Sequence, residues 1–197
     1  TSAEAAPSRR AAARAVAKLR PAASMSAPVT QNGAGSQLVP EGSIVSDLGC
    51  GDGHAAILLG LRGCTVRAYD WDERKLERAR AASLGLSVRI ERADVRQVAI
   101  DPCDVALLLD VLHYFPAPEQ DAVLGRAAAA LRPGGTLLVR DVDAARGWRS
   151  LLTRIEERLM TLVRFHRAAR LTFRPAKDLA AVLERANLSV EVRPMLQ

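Results

Sequence analysis

The chain has 197 residues, 49% of them hydrophobic and 25% charged, which is the balance of one globular domain and leaves no room for a second substantial core. A formal charge of +6 permits a polyanionic partner, but the basic side is nearly all Arg, with Lys only at 18, 75 and 177. That bias reads as composition, so nucleic acid is not the expected partner. Cys50, Cys64 and Cys103 have no metal-ligand spacing and are odd in number, which excludes a disulfide framework and a zinc site and points to a reducing cytoplasm. No run approaches the roughly 18 apolar residues that a membrane-crossing helix needs.

Ser8 can cap a helix over Arg9–Arg20, because Ala12, Val16 and Leu19 recur at helical spacing. From Pro21 to Gly42, Pro, Ala, Ser and Gly without periodicity read as a flexible linker, so residues 1–42 form an N-terminal helix and linker and the domain occupies 43–197. A strand at Ile44–Leu48, a helix at His54–Leu61, a strand at Thr65–Tyr69 and a helix from Asp72 to Leu84 then alternate. The alternation continues through strands at Ser87–Glu91 and Val105–Leu109, a helix at Pro118–Leu131 and a strand at Thr136–Arg140, with Arg132-Pro133-Gly134-Gly135 as the turn before it. Trp148, Leu151, Leu152, Ile155, Leu159, Leu162, Val163 and His166 mark one long amphipathic helix, with His166 on its apolar side. A helix at Ala176–Ala186 and a strand at Ser189–Arg193 end the pattern. Strand and helix alternation of this kind implies an α/β fold: a doubly wound, mostly parallel sheet flanked by helices.

The chemistry starts at Val45-Ser46-Asp47-Leu48-Gly49-Cys50-Gly51-Asp52-Gly53, where a strand runs through a glycine turn into a helix. Glycines let the backbone bend sharply and approach a ligand closely. Dinucleotide sites space them G-x-G-x-x-G, whereas here His54 stands where the third would fall, and Asp47 suits a ligand bearing an ammonium group better than a pyrophosphate. Asp70 ends the next strand about 20 residues beyond the turn. Asp94 lies in Arg92-Ala93-Asp94-Val95, and Asp110-Val111-Leu112-His113-Tyr114-Phe115 follows a buried strand whose carboxyl end is where open α/β sheets hold ligands.

In order and spacing, residues 43–141 resemble the class I, seven-stranded, Rossmann-like methyltransferases that use S-adenosylmethionine. The resemblance implies a cofactor site of Asp47, Gly49, Cys50, Gly51, Gly53, Asp70, Trp71, Asp94, Val95 and Asp110. In it Asp70 receives the ribose hydroxyls, Trp71 packs on the adenine and Asp94, beside the Val95 amide, accepts the adenine amino group. The fold is expected to lack the seventh strand, since the sequence stops soon after the sixth, which leaves Ser189–Arg193 to pair beside Thr136–Arg140 and the protein a monomer or an edge-paired dimer.

Histidine exchanges a proton near neutral pH, so His113 is the candidate base and Tyr114 a candidate to orient an acceptor hydroxyl. The expected activity is methyl transfer to a small organic acceptor, at oxygen ahead of nitrogen or carbon, with no metal. An RNA methyltransferase and a non-catalytic S-adenosylmethionine-binding module are the alternatives. The many Arg residues of 146–170 are a candidate peripheral membrane contact.

Overall fold

The computed structural model describes residues 14–20, 38–144 and 171–194. Seven strands form one sheet in the order β4-β3-β2-β5-β6-β1-β7. They are β1 (Arg14–Arg20), β2 (Ile44–Leu48), β3 (Thr65–Asp70), β4 (Val88–Arg92), β5 (Cys103–Leu109), β6 (Leu131–Val142) and β7 (Ser189–Pro194), and every pairing is parallel. Helices α1 (His54–Leu61), α2 (Glu73–Ala82), α3 (Ala117–Ala129) and α4 (Ala176–Arg185) lie between them in the chain.

The central strands β2, β5 and β6 are covered on both faces, as parallel strands inside a sheet are, and their successive side chains divide between two cores. Val45, Val105, Leu107 and Leu138 face the core that contains Ala56, Leu59, Leu76 and Ala79 of α1 and α2. Leu48, Leu108, Leu137 and Val139 face the core that contains Val123, Leu124, Leu179 and Leu183 of α3 and α4. Asp72 caps α2, its side chain accepting from the Arg74 N–H at 3.1 Å.

Three expectations are corrected. The helix expected over Arg9–Arg20 is strand β1 over Arg14–Arg20, and it sits between β6 and β7, parallel to both. Ser189–Arg193 therefore does not pair beside Thr136–Arg140: β1 takes the slot, with Val16 opposite both Leu138 and Glu191. The physical reason is the ladder: strands on both sides offer backbone N–H and C=O groups, which an Ala-rich helix packed elsewhere would leave unmet. Arg132–Gly135, expected as a turn ahead of the strand, is instead an irregularity inside β6. There the register jumps from Cys103↔Leu131 to Val105↔Thr136, with Gly134 at φ 83°. The amphipathic helix expected after Gly147, with His166 and the Arg-rich surface, lies outside the described residues. Among the described residues no helix is long and apolar enough to cross a membrane.

Candidate functional site

Because all the strands are parallel, their carboxyl ends share one edge of the sheet, and the chemistry-bearing residues gather there. The turn after β2 is tied to β3 by the Gly49 and Cys50 N–H groups, both donating to the Tyr69 carbonyl at 2.8 and 3.0 Å. Gly49, Gly51 and Gly53 have φ of 86°, 56° and 77°, the left-handed region that favours glycine. Their surroundings differ. A Cβ on Gly49 would lie 2.5 Å from Val111 Cγ2, and one on Gly53 2.8 Å from Ala79 Cβ, so these two are packing positions. A Cβ on Gly51 would meet nothing within 4 Å, so open space lies over that residue.

Gly49→Ala combines left-handed strain of roughly 1–2 kcal/mol with overpacking of typically 1–3 kcal/mol. We expect it to destabilise the fold by about 2–5 kcal/mol in urea unfolding, and a change below about 0.5 kcal/mol would contradict this packing.

Asp47, 1% exposed, carries a carboxylate oxygen, Oδ2, with no hydrogen-bond partner among the described residues. Burial, and then the charge of Asp70, push its carboxyl up to about 7, against the opposing pull of Arg140. An acid whose folded pKa is raised carries no penalty below its ordinary value of 3.8. The penalty grows as pH climbs from there and is complete above about 7. Asp47→Asn is therefore expected to stabilise the ligand-free fold at pH 8, by about 1–2 kcal/mol once the cost of burying the amide is deducted, and not at pH 4. Urea unfolding at the two pH values tests this, and a destabilised variant at pH 8 would contradict it.

The buried Asp70 accepts the Gly51 N–H at 2.9 Å on one oxygen and the Asp72 N–H at 3.0 Å on the other. It thus links the end of β3 to the crown of the glycine turn. Burial and then Asp47 push the half-buried Cys50 thiol up, so it is no nucleophile. Trp71 is exposed at 61%, and Val95 is buried, its carbonyl accepting from Arg126. Asp94 is gripped by Arg96, whose Nη2 donates at 2.6 Å while its Nε and backbone N–H also bond the carboxylate. The hydrogen bond from Arg96 is the main cause of a lowered carboxyl. Arg96 also pairs with Glu119 at 3.2 Å and lies over Phe115.

Beyond β5, Asp110 adopts φ 56°, a strained conformation for a side-chain-bearing residue. Its Oδ2 accepts from Arg140 Nη2 at 2.6 Å, and its N–H donates to the Arg140 carbonyl at 2.7 Å. His113 follows in a short 3-10 turn, Leu112–Tyr114, and is buried. Asp141, near the end of β6 and 4% exposed, accepts the His113 N–H on Oδ2 at 3.0 Å and bonds ring Nδ1 through Oδ1 at 2.8 Å. A carboxylate oxygen can only accept, so the bond assigns the proton to Nδ1 and leaves Nε2 as the acceptor of the neutral ring. Phe173 stacks on the imidazole at 5.2 Å and Tyr114 tilts against it at 4.3 Å. Thr172 donates its N–H to the His113 carbonyl at 2.9 Å, and Gln120 Nε2 bonds both the Phe115 and Thr172 carbonyls. The half-exposed Tyr114 hydroxyl is raised by burial, then by Asp110, Asp141 and Asp70.

The structure thus brings Asp47, Gly49, Cys50, Gly51, Gly53, Asp70, Asp110, His113 and Tyr114 to one edge. Asp141, Arg140, Gln120 and Phe173 were not singled out from the sequence. An acid at the end of the strand beside β5 was the available signal for Asp141. Among the described residues no cluster of His, Cys, Asp and Glu could hold a metal ion.

This geometry has relatives. Residues 9–192 match a family model described as a methyltransferase domain. The chain belongs to that family. Its fold is that of the class I S-adenosylmethionine-dependent methyltransferases, and S-adenosylmethionine is the cofactor of the family. A carboxy-S-adenosyl-L-methionine synthase of Vibrio atlanticus is 32% identical over 107 residues, 50% of this chain and 44% of that protein. The chain therefore spans less than half the length of this curated relative. An O-methyltransferase family protein from Burkholderia thailandensis is 25% identical with a TM-score of 0.63, over 78% of this chain and 48% of that one. A TehB-like SAM-dependent methyltransferase from Corynebacterium glutamicum is 20% identical with a TM-score of 0.58, over 82% and 78% of the two chains, and shares the fold.

Proposed function

We propose that this methyltransferase domain moves a methyl group from S-adenosylmethionine to a hydroxyl of a small organic acceptor, with His113 as the base. The observation that carries the reading is the His113–Asp141 pair, a ring held in one tautomer with Nε2 able to take a proton. Likeness to the Burkholderia O-methyltransferase family protein supports oxygen as the acceptor atom.

The residues present fit the cofactor. A buried carboxylate oxygen without a partner among the described residues, on Asp47, suits an ammonium group, and the open space over Gly51 lets a ligand approach the backbone. Each Asp70 oxygen accepts a backbone N–H and, with more than one lone pair, can also receive a ribose hydroxyl. Trp71 offers an exposed aromatic face to the adenine, and Asp94 with the Val95 amide its hydrogen bonds, shared with Arg96. When bound, the cofactor supplies a methyl group already activated on a sulfonium. The chain's remaining work is alignment, worth about 7–11 kcal/mol, together with removal of the acceptor's proton by His113. Tyr114 orients the acceptor and Asp110 borders the reacting centre.

Likeness to proteins named carboxy-S-adenosyl-L-methionine synthases favours a second reading, in which a carboxylated cofactor is the group handled. Calorimetry with S-adenosylmethionine, then a methyl-release assay over small hydroxyl acceptors and RNA, with mass spectrometry of the cofactor, tests both. Transfer to hydroxyl compounds supports the proposal. Transfer to RNA alone, or cofactor binding with no transfer to any acceptor, overturns it. A cytoplasmic setting belongs to the same reading, as Cys50, Cys64 and Cys103 are free thiols.

A further inference from the structure

Asp47 and Arg140 stand on the same face of the sheet. Val45 on β2, Leu107 on β5 and Leu138 on β6 all face the α1–α2 core, and Leu109 packs against it. Asp47 and Arg140 are each two residues on from one of these in their strands, and the side-chain period is 2. Register places Leu107 beside Asp47 and Leu109 beside Arg140, so β5 alone separates the two charged residues. Both carry buried polar atoms without partners among the described residues: Asp47 Oδ2 and Arg140 Nε. The other end of the guanidinium holds Asp110, the residue strained into φ 56° at the end of β5. Among the described residues, the titratable and charged groups that act on Asp47 are Asp70 from β3, Cys50 from the turn and Arg140 from β6, and of these only Arg140 is a cation.

We propose that Arg140 is a positioning residue for cofactor binding: from β6 it pins Asp110 and lends its charge to the buried Asp47, so that Asp47 meets the ligand's ammonium as an anion. The proposal rests on the reading of Asp47 as the ammonium site. A carboxylate removed from water and facing Asp70 would otherwise hold its proton, and a neutral acid has little to offer an ammonium group. Arg is suited to the task because its guanidinium stays charged at any working pH and bonds through separate N–H groups. One side chain thereby couples the cofactor's amino-acid end to the strained loop from which His113 follows.

The test is calorimetry with S-adenosylhomocysteine, which keeps the ammonium group and needs no turnover, from pH 5.5 to 8. For the native protein, affinity is expected to rise with pH and level off above about 7, as Asp47 ionises. In Arg140→Met the rise is displaced upward by about one pH unit or more, which weakens binding about fivefold or more at pH 7 and narrows the gap to the native protein toward pH 8. Arg140→Lys, which keeps the charge, retains the native profile within about threefold, as the smaller loss of the fork geometry allows. Arg140→Gln, the second neutral variant, still bonds Asp110 and is expected to behave as Arg140→Met, so the result does not hang on one variant folding. A native profile in a folded neutral variant overturns the proposal. Asp47→Asn separates this from failure of the underlying reading. If Asp47→Asn binds as tightly as the native protein at every pH, the ammonium site is misplaced. If it weakens binding at pH 8, where native Asp47 is ionised, while Arg140→Gln keeps the native profile, only the role of Arg140 falls.

Discussion

His113→Ala is expected to lower turnover on a hydroxyl acceptor about 10²–10⁴-fold, the usual contribution of a general base, while S-adenosylmethionine affinity moves less than about twofold. The split follows from where the ring stands. It is buried beside Asp141 and Phe173, with none of the cofactor-turn residues bonded to it. At 1.36 kcal/mol per decade the loss is roughly 3–5 kcal/mol, smaller than the 7–11 kcal/mol that alignment supplies, so residual activity is expected. Asp141→Asn keeps the shape but presents either an amide oxygen or an amide N–H to Nδ1. In the second arrangement Nε2 carries the proton and cannot accept one, so about tenfold or more of the same loss is expected. A drop smaller than about fivefold in His113→Ala would leave alignment as the whole of catalysis. Equal losses in turnover and cofactor affinity would assign the pair to structure.

The parts of this site that could be read in the sequence are those written locally. The glycine turn, the acid at the end of β3 and the motif after β5 each occupy a few consecutive residues, and α1 and β2 have the bounds that their patterns indicate. What escaped is long-range. Asp141 lies 28 residues from His113 and meets it only because β6 pairs with β5. Arg96 engages Asp94 through side-chain geometry that a sequence motif does not carry. The largest error, a helix where β1 stands, came from Ala-rich residues whose helical spacing is genuine but weak. The two-sided slot between β6 and β7 overrides that propensity, and nothing local announces it.

Asp70→Ala is expected to weaken S-adenosylmethionine binding roughly 10- to 150-fold, the equivalent of about 1.5–3 kcal/mol for hydrogen bonds to a charged group. On the proposed reading the carboxylate receives the ribose hydroxyls, and the structure adds a second task. The same two oxygens already hold the Gly51 and Asp72 N–H groups, so truncation also frees the crown of the glycine turn. Asp70→Asn distinguishes the tasks. It keeps one acceptor oxygen and nearly the same shape, and it removes a negative charge that pushes Asp47 up. Asp47 should then ionise at lower pH, which favours the ammonium end of the ligand and offsets part of the loss at the ribose. The expected order of affinity at pH 6.5 is native, then Asp70→Asn, then Asp70→Ala. The Asn variant should approach the native protein more closely at pH 6.5 than at pH 8, where native Asp47 is already ionised. Calorimetry at the two pH values checks the order and the trend. Native affinity in Asp70→Ala would remove this residue from the cofactor site, and an Asn variant whose deficit is the same at both pH values would uncouple Asp70 from Asp47.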